Sequence, residues 1–151
     1  MRSADAILVP AGAGLRHNIL GTTHITKVSP QDDKAAFLAL EITMPPRSGP
    51  PMHRHAVDSE FFYVLEGEIT FATPGGEIKG GAGDFVYLPA GGAHAFSNQG
   101  EIPAKALVVV SPGVAAYDFF NEIDERLKGE IVPDVVGETA ARHGIAFLQP
   151  A

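Results

Sequence analysis

From Ala36 to Met44 the chain reads AFLALEITM, and Leu38, Leu40, Ile42 and Met44 fall on alternate positions. Successive side chains of an extended chain point to opposite faces, so this alternation predicts a strand with one apolar face. Short runs of the same kind follow, divided by turn residues: SEFFYVLEG up to Gly67, EITFA before PGGE, DFVYLP after Gly80, Gly81 and Gly83, and AHAFSN after AGG at 90–92. HNILGTTHITKV at 17–28 predicts one or two strands, and SPQDDKA a turn. KALVVVS is apolar on both faces, which suits the centre of a sheet. The period changes after Pro112. Ala116, Phe119, Phe120, Ile123 and Leu127 recur every three or four residues, with Asp118, Glu122 and Glu125 opposite, and predict an amphipathic helix over 115–128 that docks on the sheet body. A second helix over 134–143 ends at Arg142, His143 and Gly144, and IAFLQP reads as a closing strand. Residues 1–16 read as a loose arm.

Many short strands between Gly/Pro turns predict an all-β fold, a closed sandwich or barrel with short C-terminal helices. A length of 151 residues suits one domain. Its core is expected over 17–111 and a helical extension over 112–151.

Charge narrows the partners. The formal charge is −7, and the 11 Lys and Arg residues are scattered without a basic patch. Nucleic acid and anionic membrane surfaces are therefore not expected. The chain has no cysteine, which removes thiolate catalysis, disulfides and Cys-based metal sites. Its apolar runs fall short of a membrane span, and MRSADAILVP lacks the pattern of a signal peptide, so a cytoplasmic location is expected. GGEIKGGAG lacks the Lys-Ser/Thr ending of a phosphate-cradling loop.

The candidate chemistry lies in HRHAVDSE at 53–60. On a strand His53 and His55 share a face while Arg54 takes the other. With a turn at Ala56–Asp58, Glu60 swings back toward the two imidazoles. PPRSGPP, with prolines on both sides of Arg47–Gly49, stiffens the approach to this pair. A fourth donor is offered by GAGDFVYLPAGGAHAFSN at 81–98, where His94 opens a strand with Phe96 and Asn98 at the same parity. If that strand lies beside His53 and His55, His94 completes a set of three imidazoles and one carboxylate. Such donors suit one divalent transition metal: Fe, Mn, Ni, Co, Cu or Zn. His17, His24 and His143 lack a partnered spacing and read as surface or cap histidines. Gly67, Gly83 and Gly91 read as turn devices. Most of Phe61, Phe62, Tyr63, Phe71, Phe85, Tyr87 and Phe96 read as core or sheet-packing aromatics. Phe62 and Phe96 share parity with Glu60 and His94 and are candidate pocket walls, with Met52 at the cavity edge.

Gly49, His53, His55, Glu60 and Gly67 resemble the first motif of the cupin superfamily, with Pro50 and Pro51 in the approach and the glycine closer to the first histidine than usual. Gly83, Pro89, Gly91, His94 and Asn98 resemble its second motif at full spacing. The chain is similar over nearly its whole length to small single-domain cupins of the quercetin 2,3-dioxygenase type. That resemblance implies a double-stranded β-helix (jelly-roll) barrel with appended helices, a divalent metal on His53, His55, Glu60 and His94, and a homodimer. It also implies that Glu60 serves as the base for a phenolic or enolisable, flavonol-like substrate, with dioxygen as co-substrate. The same donor set would serve a metal-dependent isomerase or decarboxylase, or a small-molecule-binding protein without catalysis.

Overall fold

A computed structural model describes residues 5–148. The elements in chain order are β1 (Leu15–Ile19), β2 (Thr22–Val28), α1 (Pro30–Asp33), β3 (Leu38–Met44), β4 (His53–His55), β5 (Ser59–Glu66), β6 (Glu68–Thr73), β7 (Gly76–Gly81), β8 (Phe85–Leu88), β9 (Ala95–Ser97), β10 (Ala104–Ser111), α2 (Val114–Leu127), α3 (Pro133–Arg142) and β11 (Ile145–Phe147). The strand periodicity places its side chains as expected. Leu38, Leu40, Ile42 and Met44 are all buried. β10, apolar on both faces, sits between β3 and β5 in a six-stranded antiparallel sheet of order β1-β2-β3-β10-β5-β8. A three-stranded sheet, β7-β6-β9, faces it, and β11 pairs with β4. The core lies between the two larger sheets. Phe62 of β5 meets Phe71 of β6 with ring centroids 5.1 Å apart, and Phe96 of β9 at 4.8 Å.

The expectation of an all-β jelly-roll barrel is corrected. The strands hydrogen-bond into three separate sheets and none closes on itself. Pro45, Pro46, Pro50 and Pro51 lack the N–H that a ladder needs. Along this segment, pairing with the β9 region shrinks to two isolated bridges, Ser48 to Asn98 and His53 to His94. Gly49 fits only as glycine there: its φ is 140°, and a Cβ would collide with the Phe96 carbonyl oxygen. Two helices of 14 and 10 residues also contribute to the packing, too much for an all-β description. The fold is a β-sheet core with two flanking helices.

α2 is not a surface appendage. Ala116 and Tyr117 belong to the main core, while Phe119 and Ile123 pack with Val136 and Ala140 of α3, Ile145 of β11 and Ile19 of β1. The residue preceding α2, Gly113, offers no side chain to cap it. Asp58, read from sequence as a turn residue, supplies the cap from just before β5. Gly113 N donates to its Oδ1 at 2.8 Å and Ala116 N to its Oδ2 at 3.0 Å. A carboxylate at a helix N-terminus satisfies orphan N–H groups and opposes the helix dipole. SPQDDKA forms the single turn α1, with the Ser29 hydroxyl accepting from Asp32 N at 3.0 Å; Tyr117 O–H then donates to Asp32 Oδ2 at 2.8 Å, fixing α2 from its other side.

The aromatic residues divide more evenly than expected. Phe62, Phe71 and Phe96 are buried, but Tyr63, Phe85 and Tyr87 stand exposed on the outer face of the six-stranded sheet, beside half-buried Phe61. Parity explains the split: Phe61 and Tyr63 alternate with Glu60, Phe62 and Val64, whose side chains point inward.

Asp58→Ala should lower the unfolding free energy by about 2–3 kcal/mol in urea titrations, because two buried N–H groups lose a charged acceptor. Asp118→Ala, on the exposed face of the same helix, should change it by less than about 0.5 kcal/mol. Equal effects of the two would contradict the capping role.

Candidate metal centre

Three pieces of the fold position the four clustered side chains. β4 is three residues long, and its alternation turns His53 and His55 inward while Arg54 is exposed. His94 is held by a reciprocal backbone pair: His53 N donates to the His94 carbonyl at 2.8 Å and His94 N to the His53 carbonyl at 2.9 Å. Gly91 N donates to the His55 carbonyl at 2.8 Å, which brings the 90–92 turn over the strand. Asn98 anchors the far end of this segment. Its Nδ2 donates to the carbonyls of Met44 at 2.9 Å and Ile102 at 2.7 Å. Glu60 comes from β5 in the opposing sheet, where it pairs with Leu88 on one side and Val110 on the other.

The structure brings His53, His55, Glu60 and His94 together. All four are buried, and one potential ligand atom from each lies within 4.8 Å of all the others. Glu60 Oε1 is 3.0 Å from His55 Nε2 and 3.3 Å from His94 Nε2. Neither Glu60 Oε1 nor His94 Nε2 has an aligned hydrogen-bond partner, although both are enclosed. Buried polar atoms are normally satisfied. Lone pairs that converge without a proton between them fit a cation in their midst.

The tautomer of His53 agrees. Its Nδ1 lies 2.8 Å from the Pro51 carbonyl, which can only accept, so Nδ1 carries the proton and the lone pair at Nε2 is free for a metal. Burial then lowers the His53 pKa to about 4, against the opposing charge of Glu60. Burial alone would raise the Glu60 carboxyl, but His55 and His94 beside it hold it well below the usual carboxylate range. Burial pulls His55 down, yet contact with Glu60 and the charges of Glu60 and Asp58 more than offset this and leave it raised. A neutral His53 and an ionised Glu60 are the protonation states that ligation requires. The donor set therefore forms a plausible site for one divalent transition metal.

The cluster opens on a cavity of about 50 Å³. Phe62 and Phe96 line it; Met52 is not among the lining residues, and its carbonyl instead accepts from Leu148 N at 2.9 Å. Helical residues Phe119 and Phe120, with Ile145 and Phe147 of β11, complete the wall.

Two histidines were misplaced by sequence reasoning. His17 and His24 are not surface residues: they are 6% and 5% exposed, opposite each other in the β1–β2 register, and His24 lines the cavity. The signal was present in the alternation His17–Ile19 and Thr22–His24–Thr26, but an inward face carrying polar residues looks like a solvent face. His143 caps α3 as expected, with its Nε2 3.0 Å from Glu122 Oε2.

Protein purified without added metal and then loaded should hold about one divalent ion per chain by elemental analysis, and His53→Ala about a tenth of that or less, since a lost donor weakens such sites by well over tenfold. Full metal content in the variant would contradict the ligand set. A second expectation concerns acid. Burial, then the charge of His17, lowers the His24 pKa to about 3, against 6.5 when unperturbed. The unfolded chain therefore binds a proton here that the folded chain refuses, and the stability present above pH 6.5 is lost as pH falls toward 3. Denaturant midpoints of metal-free protein between pH 7 and 5 should fall less steeply in His24→Leu than in wild type. The paired comparison separates His24 from His55, whose raised pKa acts with the opposite sign. Identical slopes would refute the assignment.

Residues 40–110, which include all four clustered side chains, match the family model described as the cupin domain. The quercetin 2,3-dioxygenase of Bacillus subtilis (strain 168) is 35% identical over 81 residues, 54% of this chain; the match spans 23% of that protein's length. An oxalate-binding protein of Thermotoga maritima is 29% identical over 87 residues, 58% of this chain and 71% of the relative. Among solved structures, a predicted oxalate decarboxylase from Thermotoga maritima superposes with a TM-score of 0.61 at 24% identity, over 70% of this chain and 98% of that one. The polyketide cyclase RemF from Streptomyces resistomycificus gives 0.64 at 23% identity, over 72% and 80%. At those identities the two structures speak to the fold alone. The family match thus spans just under half of the chain, residues 40–110, and holds all four clustered side chains, while the superposed structures show that the chain shares their fold.

Proposed function

We propose that the protein is a metal-dependent dioxygenase acting on a compact enolisable or phenolic molecule. The observation that carries this reading is the placement of Glu60 among three imidazoles at the end of a largely apolar cavity whose lining, among the described residues, contains neither Lys nor Arg. A polyanionic substrate would find no counter-charge there beyond the metal itself, whereas a single enolate or phenolate oxygen needs none. A divalent metal held by His53, His55, Glu60 and His94 would supply Lewis acidity for the substrate oxygen and, if redox-active, electron exchange with dioxygen. The chain's own residues do the rest. Glu60, kept ionised by His55 and His94, takes the enol proton on its carboxylate. The Pro51 carbonyl holds His53 in one tautomer. Phe62 and Phe96 exclude water, which strengthens the attraction between cation and anion.

The cavity also bears on substrate size. Its volume of about 50 Å³ is well below the ~150 Å³ that admits a benzene molecule. The reading therefore favours a substrate with the chelating head of a flavonol but little of its body; a flavonol would have to displace the wall formed by Phe119, Phe120 and Phe147. The same compactness favours a second reading, an oxygen-independent isomerase or decarboxylase of a small keto acid.

Metal-loaded enzyme offered a panel of small diketones, α-hydroxyketones and phenols should consume oxygen with at least one of them, and Glu60→Gln should lower that rate by about 10²–10⁴-fold, the usual contribution of a general base. Turnover that continues unchanged under anaerobic conditions would replace the oxygenase with the second reading.

A further inference from the structure

One more imidazole lines the cavity besides those of the cluster. His24 stands on β2, 5% exposed, on the wall formed by the six-stranded sheet. Its neighbour on that wall, Thr22, has committed its hydroxyl, which donates to the Ile19 carbonyl at 2.7 Å. His24 has made no such commitment at Nδ1, which is enclosed and meets no hydrogen-bond partner. The ring is nevertheless held in place. Phe120 packs against it edge-on with centroids 4.7 Å apart, and His17 faces it across the β1–β2 ladder. Burial keeps it neutral at ordinary pH, so it offers one donor and one acceptor but no charge. The surrounding wall is apolar, including Leu40, Ile42, Val108 and Phe120.

We propose that His24 is a second recognition point: it hydrogen-bonds an uncharged hydroxyl or carbonyl on a ligand whose oxygen anion occupies the His53–His55–Glu60–His94 cluster. This rests on the oxygen-anion reading of the site. It narrows the substrate to a small molecule with two oxygen functions, one chelating and anionic and the other neutral, such as an α-hydroxyketone in its enol form. A dicarboxylate is disfavoured, because a neutral ring gives its second charge no compensation.

Two small hydroxamates of equal size separate the possibilities: glycolohydroxamate ends in a hydroxyl, propionohydroxamate in a methyl. Both present the same anionic chelating head. Calorimetric titration of zinc-loaded wild type should show glycolohydroxamate binding about tenfold more tightly, the value of one buried hydrogen bond that would otherwise be left unmade. His24→Leu should abolish the preference while changing the propionohydroxamate affinity by no more than about twofold, and His24→Gln, which restores a neutral donor and acceptor, should recover part of it. A readout that needs no variant is the ¹⁵N resonance of the His24 ring, which should move with glycolohydroxamate and stay in place with propionohydroxamate. Equal affinities in wild type, a preference that survives in His24→Leu, or an unmoved resonance would overturn the role of His24 alone. Failure of both hydroxamates to bind zinc-loaded wild type would overturn it together with the oxygen-anion reading.

Discussion

Burying one carboxylate against three imidazoles takes four polar heads out of water at once. Contacts between Glu60 and the rings of His55 and His94 offset part of that desolvation, but charges removed from solvent seldom recover the whole of it from a single partner. The enclosed atoms left without hydrogen bonds, Glu60 Oε1 and His94 Nε2 among them, mark where the balance is incomplete. A shared cation would close it, and the architecture around the cluster suits that role. Two opposing layers supply the donors, Glu60 from one and the three histidines from the other. The four donors therefore converge only when the layers are packed at the correct separation, so that metal binding would add to the stability of the folded chain.

The helices extend this coupling to the cavity. Asp58 lies two residues from Glu60, yet its carboxylate caps α2, so the strand that carries the acidic donor also fixes the helix whose Phe119 and Phe120 wall the cavity. β11 repeats the arrangement on the other side. It pairs with β4, placing Phe147 opposite His53 and Ile145 opposite His55. The candidate metal site and the enclosure around it are thus built from the same backbone ladders. His24, whose Nδ1 has no hydrogen-bond partner, stands on the wall outside the cluster and is the group proposed to discriminate among small molecules that fit the remaining space.

Much of this was legible in the residues. Alternation in AFLALEITM and the doubly apolar KALVVVS located the central strands, three-to-four spacing located α2 and the Arg142–His143–Gly144 stop located α3, each within a residue, and the two motif segments contain all four clustered side chains. Three things were not. Sheet closure depends on hydrogen-bond partners far apart in sequence, and the prolines flanking Arg47–Gly49 reduced that pairing to isolated bridges, so a barrel was expected where separate sheets form. Asp58 looked like an ordinary turn residue because the helix it caps begins 56 positions later. His17 and His24 looked solvent-facing because polar side chains on an inward face carry no apolar periodicity. Burial of such residues becomes visible only when the elements packed over them are known.

X-ray absorption at the metal edge of loaded protein tests the convergence of the four side chains most directly. The account predicts an inner shell dominated by imidazole nitrogen, with three rings visible through their multiple-scattering features and at least one oxygen, all at about 2.0–2.2 Å. A shell of oxygen donors only, or one with fewer than two imidazoles, would place the metal elsewhere and contradict the account.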